Sequence, residues 1–595
     1  VSDPQTAWAE LLLRSLVEAG VREAIISPGS RSTPLVWAAC RTSGLRCHCL
    51  IDERSAGFYA LGQARVSGIP SLLICTSGTA ASHYYPAVIE ARESGVPVLV
   101  LSADRPFEAQ HVSAHQTIDQ VRLFGAYAPY HELGTPVFDH DSLLALRRIA
   151  FQVVTATLEA PRGAVHLNFR AKKPLEPTEG ASPVTLPRTS ALPATREAPP
   201  RPPANDDVEY LLERLSNSDC PLLICGALGL RDSPSPALVR RFAALSGCIL
   251  CPEGTSQLRF QLEPELEGGV LCDTYDWLLG SAALRGRLKP DFALQLGGTP
   301  ISSALGALLE RPTDPLRYVI CAESGWPDSV HQSAHVVRAR PVELLEAASS
   351  ALERRPRLPP RLQLPLWRRA QAVARSVIAQ HLREGFGEPA AVSSVADMLP
   401  HGSTLVLGNS LPPRLIDRYC GAAARGVRVC SQRGASGIEG AIASALGSAS
   451  VAGAATTLLV GDISFLHDIG SLWAAQPERT LNDAFTHPVV IVVLNNGGGR
   501  IFEQLPIARQ AGVDMRWWTT PHRLELGALA VAYGVPIVQA HDRAELLAAL
   551  GAAYASTAVS LIEVILDPAS VLASARHVSA ELEPRFEQLL SASTP

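Results

Sequence analysis

The sequence predicts an α/β protein built from three doubly wound, mainly parallel-sheet domains. Three observations carry this. Short runs rich in Leu, Ile and Val recur along the 595 residues without polar–apolar alternation, the pattern of parallel strands covered on both faces. Helical spacing lies between many of them, as at Ala7–Gly20 and from Ala80 to Ser94. Two proline-rich stretches without periodicity divide the chain into blocks of ordinary domain size.

In chain order, the first block spans 1–180 and contains "EAIIS", "SLLICTS" and "VPVLVLSAD". The stretch Pro174–Asp207 holds nine prolines, and 181–207 is assigned as a linker. A central block, 208–352, carries "PLLICGA", "DFALQLGG" and "RYVICAE". A second linker, 353–365, reads "ERRPRLPPRLQLP" and is expected to be extended and exposed. The third block, 366–595, contains "STLVLGN", "TTLLVGD" and "HPVVIVVLNN". No short-period repeat is present. The uncharged stretch Ala441–Gly461 is too weakly apolar to span a bilayer and reads as helix, turn and strand.

Hydrophobic residues make up 47% and charged residues 18%, ordinary for a globular protein without membrane insertion. A net charge of -5 gives no electrostatic case for nucleic acid or an anionic membrane. Val1–Glu10 lacks a basic start followed by an apolar core, and a reduced, cytoplasmic protein is expected. Cys248–Cys251 and Cys47–His48–Cys49 lack a second half at zinc-like spacing, so they read as buried strand thiols.

Ligands of open α/β sheets sit beyond the carboxyl ends of strands. In the first block these ends read "SPGSRSTPL", "IDERSAGFYALG", "TSGTAASHYYPAVIEA" and "SADRP". In the third they read "GNSLPPR", "SQRGASGIEG", "GDISFLHD" and "NNGGGRIF". His83, Tyr84 and Tyr85 read as packing residues of a helix, and His467–Asp468 as ordinary features of the helix beyond Asp462. Asp462 itself has two readings: a helix N-cap, or a ligand. The second reading gains from Asn495–Asn496 and three glycines at another strand tip. A hard divalent cation takes carboxylate, amide and backbone oxygens, commonly together with phosphate.

Gly461–Asp462 followed by Asn495–Asn496 resembles the Gly-Asp-Gly…Asn-Asn motif of thiamin diphosphate (ThDP) enzymes. It departs in having Ile463 for the second glycine and a long spacing of 34 positions to Asn496. The extra length is placed in "AAQPERTLNDAFTH". With "SPGSRSTPL", "DERSAGF", "HQTIDQ", "GNSLPPR" and "RGASGIEG", the first and third blocks resemble the MenD family. These are the 2-succinyl-5-enolpyruvyl-6-hydroxy-3-cyclohexene-1-carboxylate (SEPHCHC) synthases of menaquinone biosynthesis, in the ThDP-dependent decarboxylase-like superfamily.

The resemblance implies a transferase in which 1–180 binds the pyrimidine and 366–595 the diphosphate. It implies that Asp462, Asn496 and the Gly498 carbonyl hold Mg²⁺ or Mn²⁺. Gly461, Ser464, Ile501 and Ser410 would contact the cofactor, and Ile438 would be its apolar wedge. Glu53 would face the aminopyrimidine ring as the catalytic carboxyl. Arg414 and Arg433, with Ser410, would receive 2-oxoglutarate; Ser30, Arg31, Arg105 and Gln116 would receive isochorismate. The implied reaction decarboxylates 2-oxoglutarate on ThDP, releases CO₂ and adds the succinic-semialdehyde carbanion to isochorismate in a Stetter-like 1,4-addition. A homodimer or homotetramer is implied, with Glu53 of one chain facing Asp462 of the other. Two further departures are His115, where the family carries Asn, and Ser303–Ala304, where it carries Lys. Two rivals stay open: another ThDP-dependent 2-oxo acid decarboxylase or synthase, and a non-catalytic scaffold of the same fold.

Overall fold

The computed structural model describes residues 3–177, 202–311, 316–322, 325–476 and 485–592. Most of the first linker, and most of the loop assigned the extra motif length, lie outside these residues. Among the described residues eighteen strands form three sheets of six, every pair parallel. The N-terminal sheet comprises β1 (Glu23–Ile26), β2 (Arg46–Cys49), β3 (Ser71–Cys75), β4 (Val98–Asp104), β5 (Tyr130–Glu132) and β6 (Ala164–Arg170). The central sheet comprises β7 (Pro221–Cys225), β8 (Ile249–Pro252), β9 (Val270–Leu271), β10 (Phe292–Leu296), β11 (Leu316–Ile320) and β12 (Ser333–Val337). The C-terminal sheet comprises β13 (Thr404–Leu407), β14 (Arg428–Ser431), β15 (Thr456–Gly461), β16 (Val489–Asn495), β17 (Ile537–Ala540) and β18 (Val559–Ile565). The sequence-derived fold class holds.

The N-terminal sheet runs β2-β1-β3-β4-β6-β5 and the C-terminal sheet β14-β13-β15-β16-β18-β17. These are one topology used twice. The central sheet, read from its β9 edge, runs β9-β8-β7-β10-β11-β12, a different winding. Strand order reverses between β1 and β3, between β13 and β15, and between β7 and β10. Such reversals open crevices at the carboxyl ends.

Alternate residues of a strand face opposite sides of its sheet. In β16, Val489, Ile491 and Val493 join a core shared with the N-terminal domain, and Val490, Val492 and Leu494 join one shared with the central domain. Both faces are buried, which is why the strand shows no polar alternation. On the N-terminal side, helix Glu53–Ser67 crosses helix Ala441–Ala452 closely. Asp52 caps the first through the Arg54 and Ser55 N–H groups, and Gly68, at φ +68°, ends it. Ala441–Gly461 is helix, turn and strand as expected.

The second linker is mostly exposed, as expected, with Arg361 as an anchored exception. Arg361 within it is only 5% exposed and donates to the Leu215, Ser218 and Ser246 carbonyls. A guanidinium with five donors satisfies helix-end carbonyls of the central domain, so this segment is strapped down rather than free. Helix Asn205–Asn217 also begins inside the last residues assigned to the first linker.

Candidate active site

Gly461 of β15 pairs with Leu494 of β16, so Asp462 stands level with Asn495 and one residue short of Asn496. The N-cap reading of Asp462 does not hold: Gly461 is the N-cap, and Asp462 opens the short helix Asp462–His467. Its Oδ1 accepts from the Ile463 N–H at 2.7 Å and its Oδ2 from the Gly498 N–H at 2.8 Å. The carboxylate therefore ties two strand tips together. His522 Nε2 lies 3.2 Å from Oδ2. Burial raises the Asp462 pKa, opposed by the Gly498 and Ile463 donors and by His522.

Asn496 is buried beside it. Its Nδ2 donates to Glu388 at 2.8 Å, and its Oδ1 has no hydrogen-bond partner among the described residues. An orphaned buried acceptor costs free energy unless a ligand satisfies it. Gly498 sits at φ +144°, and a Cβ there would meet the Thr519 carbonyl oxygen at 2.5 Å, so only glycine fits this approach. Among the described residues no three His, Cys, Asp or Glu side chains gather as a metal set. One carboxylate, one amide oxygen and a backbone carbonyl are an oxygen set that suits a hard cation sharing its shell with phosphate. The donors present fit the expected cation. Ser464 is buried in the same short helix, and Ile501 is packed at the rim of the core below.

The "RGASGIEG" loop is held from two domains. Asn409, just after β13, donates to the Gln432 and Gly437 carbonyls at 2.9 and 2.6 Å, while its oxygen accepts from Arg433 at 3.0 Å. Glu90 of the N-terminal domain accepts from the Gly434 and Ala435 N–H groups at 3.1 and 2.7 Å. Ile438 lies in this pinned loop. Ser410 has φ +76°, an uncommon conformation for a residue with a side chain. Its carbonyl accepts from Arg414 at 2.6 Å. Burial lowers the pKa of Arg414, and Arg433 lowers it further; burial also lowers Arg433. Two crowded, partly desolvated guanidinium groups are a site that gains from an anion.

A matching cluster stands at the tips of the N-terminal sheet. Arg31, in the turn Ser30–Ser32, is buried, donates to the Ala171 carbonyl at 2.7 Å and keeps its Nε unpaired among the described residues. Burial lowers its pKa, and Arg105 adds to the effect. Arg105 donates to Ser77 Oγ at 3.2 Å, and Gln116, at φ +55°, donates to the Ser77 carbonyl at 3.0 Å. The fold thus joins Arg31, Arg105 and Gln116 in one group, and Arg414, Arg433 and Ser410 in another.

Glu53 opens helix Glu53–Ser67, half-buried, and burial raises its pKa. Its charged neighbours are His83 and Asp52, whereas Asp462 has His522 and Glu388. Arg54 turns away to the His467 carbonyl at 3.2 Å. His83 is exposed in a 3-10 turn rather than packed, which corrects its reading; Tyr84 is fully buried, and Tyr85 packs edge-on against Phe124 and Tyr127. His115 is exposed, and Ser303 opens a helix beside a shallow cleft with Arg418 and Glu583. Cys47, Cys248 and Cys251 are buried thiols, whereas Cys49 at the end of β2 is exposed, which corrects its reading; buried His48 pairs with Glu23 at 2.8 Å.

Sequence reasoning missed Glu388, Glu90 and His522, and its reading of Asp468 as an ordinary helix feature is corrected. Asp468 is fully buried and accepts from the Ile442 and Ala443 N–H groups at 2.8 and 3.0 Å, capping a helix that starts 27 positions upstream of it. Glu90 and Asp468 lie within strand-end stretches quoted above and Glu388 lies outside them, but the partners of all three are distant in the chain, so only contacts across the fold reveal their roles. A cavity of about 420 Å³ opens at the reversal point of the central sheet, and Arg433 and Gly434 form part of its wall.

Residues 6–123 match the thiamine pyrophosphate enzyme N-terminal TPP binding domain, and residues 418–564 match the C-terminal TPP binding domain. Thiamine pyrophosphate is another name for ThDP. The chain is 38% identical over 592 residues to a 2-succinyl-5-enolpyruvyl-6-hydroxy-3-cyclohexene-1-carboxylate synthase of Sorangium cellulosum (strain So ce56), covering 95% of this chain and 94% of that protein. It is 37% identical over 573 residues to the synthase of the same name from Geobacillus kaustophilus (strain HTA426), with 95% of each chain covered. A third, from Myxococcus xanthus (strain DK1622), is 35% identical over 546 residues and 89% of each chain.

Proposed function

The chain belongs to the 2-succinyl-5-enolpyruvyl-6-hydroxy-3-cyclohexene-1-carboxylate synthase family, and on that premise we propose that it joins 2-oxoglutarate, with loss of CO₂, to isochorismate. The observation that carries the reading is the pairing of Asp462 with an orphaned Asn496 oxygen at adjacent strand tips. These two, with the Gly498 carbonyl, would hold Mg²⁺ or Mn²⁺ against the cofactor diphosphate, with Ser464 nearby. ThDP, when bound, supplies the carbon nucleophile and the electron sink for decarboxylation.

The protein's own groups orient and neutralise. Glu53, its pKa raised by burial, holds a proton at the cofactor's ring nitrogen. Ile438 wedges the cofactor from a loop fixed by Asn409 and Glu90. Arg414 and Arg433, with Ser410, grip the carboxylates of 2-oxoglutarate. Ser30, Arg31, Arg105 and Gln116 receive isochorismate. Each substrate is a dicarboxylate, and burial of the guanidinium groups strengthens each ion pair. By the family's pattern we assign the complete site to a homodimer or a homotetramer, with residues 1–180 of one copy facing 366–595 of another. A reduced, cytoplasmic setting suits twelve cysteines that form no disulfide among the described residues.

The test is turnover by the purified chain with ThDP, Mg²⁺ and 2-oxoglutarate, with and without isochorismate, products identified by mass. Consumption of both substrates to one adduct supports the synthase. CO₂ release without use of isochorismate would reassign the chain as a simple decarboxylase, and ThDP binding without reaction would make it a scaffold.

A further inference from the structure

Glu388 is 1% exposed and opens helix Glu388–Met398, 108 positions before Asn496 in the chain. It is the partner of the Asn496 Nδ2. The two ends of a carboxamide are nearly the same size, so shape alone does not choose between them. Only the hydrogen-bond partners choose. Glu388 Oε2 takes the NH₂ end at 2.8 Å and leaves the oxygen end free, the arrangement an ionised carboxyl, which accepts and does not donate, enforces. Asn496 Oδ1 is the buried atom without a partner among the described residues. Turned the other way, the amide would set two oxygens against each other and present N–H donors, which no cation accepts.

We propose that Glu388 is a positioning residue that locks the Asn496 side chain with its oxygen presented to the divalent cation of the site. The inference rests on the reading of Asp462, Asn496 and Gly498 as the cation's ligands. The contact of Glu388 at the site is with the Asn496 amide. It acts through the amide, in the way that hydrogen-bond partners behind metal ligands fix ligand orientation.

The experiment measures Mn²⁺ affinity in the presence of ThDP, from the loss of the free-ion electron paramagnetic resonance signal, alongside far-UV circular dichroism of the metal-free protein. Glu388→Gln offers an NH₂ group of its own and lets Asn496 turn. Its Mn²⁺ affinity is expected to fall about 10- to 100-fold with the circular dichroism unchanged. The second variant is the exchange Glu388→Gln with Asn496→Asp. There the introduced glutamine amide donates to a carboxylate that has an oxygen at either end, with the total charge conserved, so Mn²⁺ affinity is expected to return to within about threefold of the wild type. A merely structural role for Glu388 gives no reason for that recovery. Affinity of Glu388→Gln within twofold of wild type, or an exchange variant that folds and stays as weak as Glu388→Gln, overturns the proposal. Asp462→Ala separates the two levels: if it binds Mn²⁺ as well as wild type does, the cation reading itself is wrong and this inference falls with it.

Discussion

Gly62 and Gly447 sit where helices Glu53–Ser67 and Ala441–Ala452 cross, and replacing either by alanine should loosen the contact between the N- and C-terminal domains. A Cβ on Gly62 would lie 2.1 Å from the Ser444 carbonyl oxygen, and one on Gly447 would lie 2.0 Å from the Tyr59 carbonyl oxygen. Carbon and oxygen in contact need about 3.2 Å, so either methyl must push the helices apart by roughly 1 Å. The obstacle is backbone and cannot rotate away. Overpacking of this kind costs typically about 1–3 kcal/mol, and a rigid obstacle argues for the upper end. Alanine returns about 1 kcal/mol through its better helix propensity. The net expectation for Gly62→Ala is a loss of about 2 kcal/mol. Gly551 is the control: it lies in helix Arg543–Tyr554 with open space around its Cβ position, so Gly551→Ala should gain about 0.5–1 kcal/mol. Urea unfolding followed by circular dichroism reads both, as midpoint shifts of the transition that separates the domains, because three domains need not unfold as one. If Gly62→Ala is as stable as wild type while Gly551→Ala behaves as expected, the close-crossing argument is wrong.

Three further outcomes follow from particular contacts. Glu53→Gln should retain ThDP, measured by fluorescence quenching, and lose turnover by about 100-fold or more; near-normal turnover would remove Glu53 from the proton-holding role. Asp468→Asn addresses pH. Burial raises the Asp468 pKa to about 6, opposed by the Ala443 N–H, Ser471, Arg54 and the Ile442 N–H. The folded value lies above the unfolded one, about 3.9, so wild-type stability should decline relative to the Asn variant as pH rises from about 4 to about 6, by at most about 3 kcal/mol, and run parallel above that. Thermal midpoints of the two proteins that track each other across this window would refute it. Glu90→Ala frees the Gly434 and Ala435 N–H groups, so KM for 2-oxoglutarate should rise about 10-fold or more while ThDP affinity changes little; an unchanged KM would deny the clamp a role in placing Arg433.

The strand tips were legible in the sequence because they are local. Runs such as Val489–Asn495 declare a doubly covered parallel strand, and Gly461–Asp462 and Asn495–Asn496 announce polar groups at the ends of such strands. The fold class and the candidate ligands could therefore be read directly. The bonds behind those ligands could not. Glu388 reaches Asn496 over 108 positions, Glu90 reaches Gly434 over 344, and Asp468 caps the helix that starts at Ala441. The repeated topology of the outer sheets, the strap made by Arg361 and the glycine crossing also became visible only once the chain was folded. A strand or helix is set by neighbours a few residues away, so its pattern is written in consecutive letters. A buried acid is tolerated only where donors from distant segments converge on it, and that convergence belongs to the tertiary structure alone.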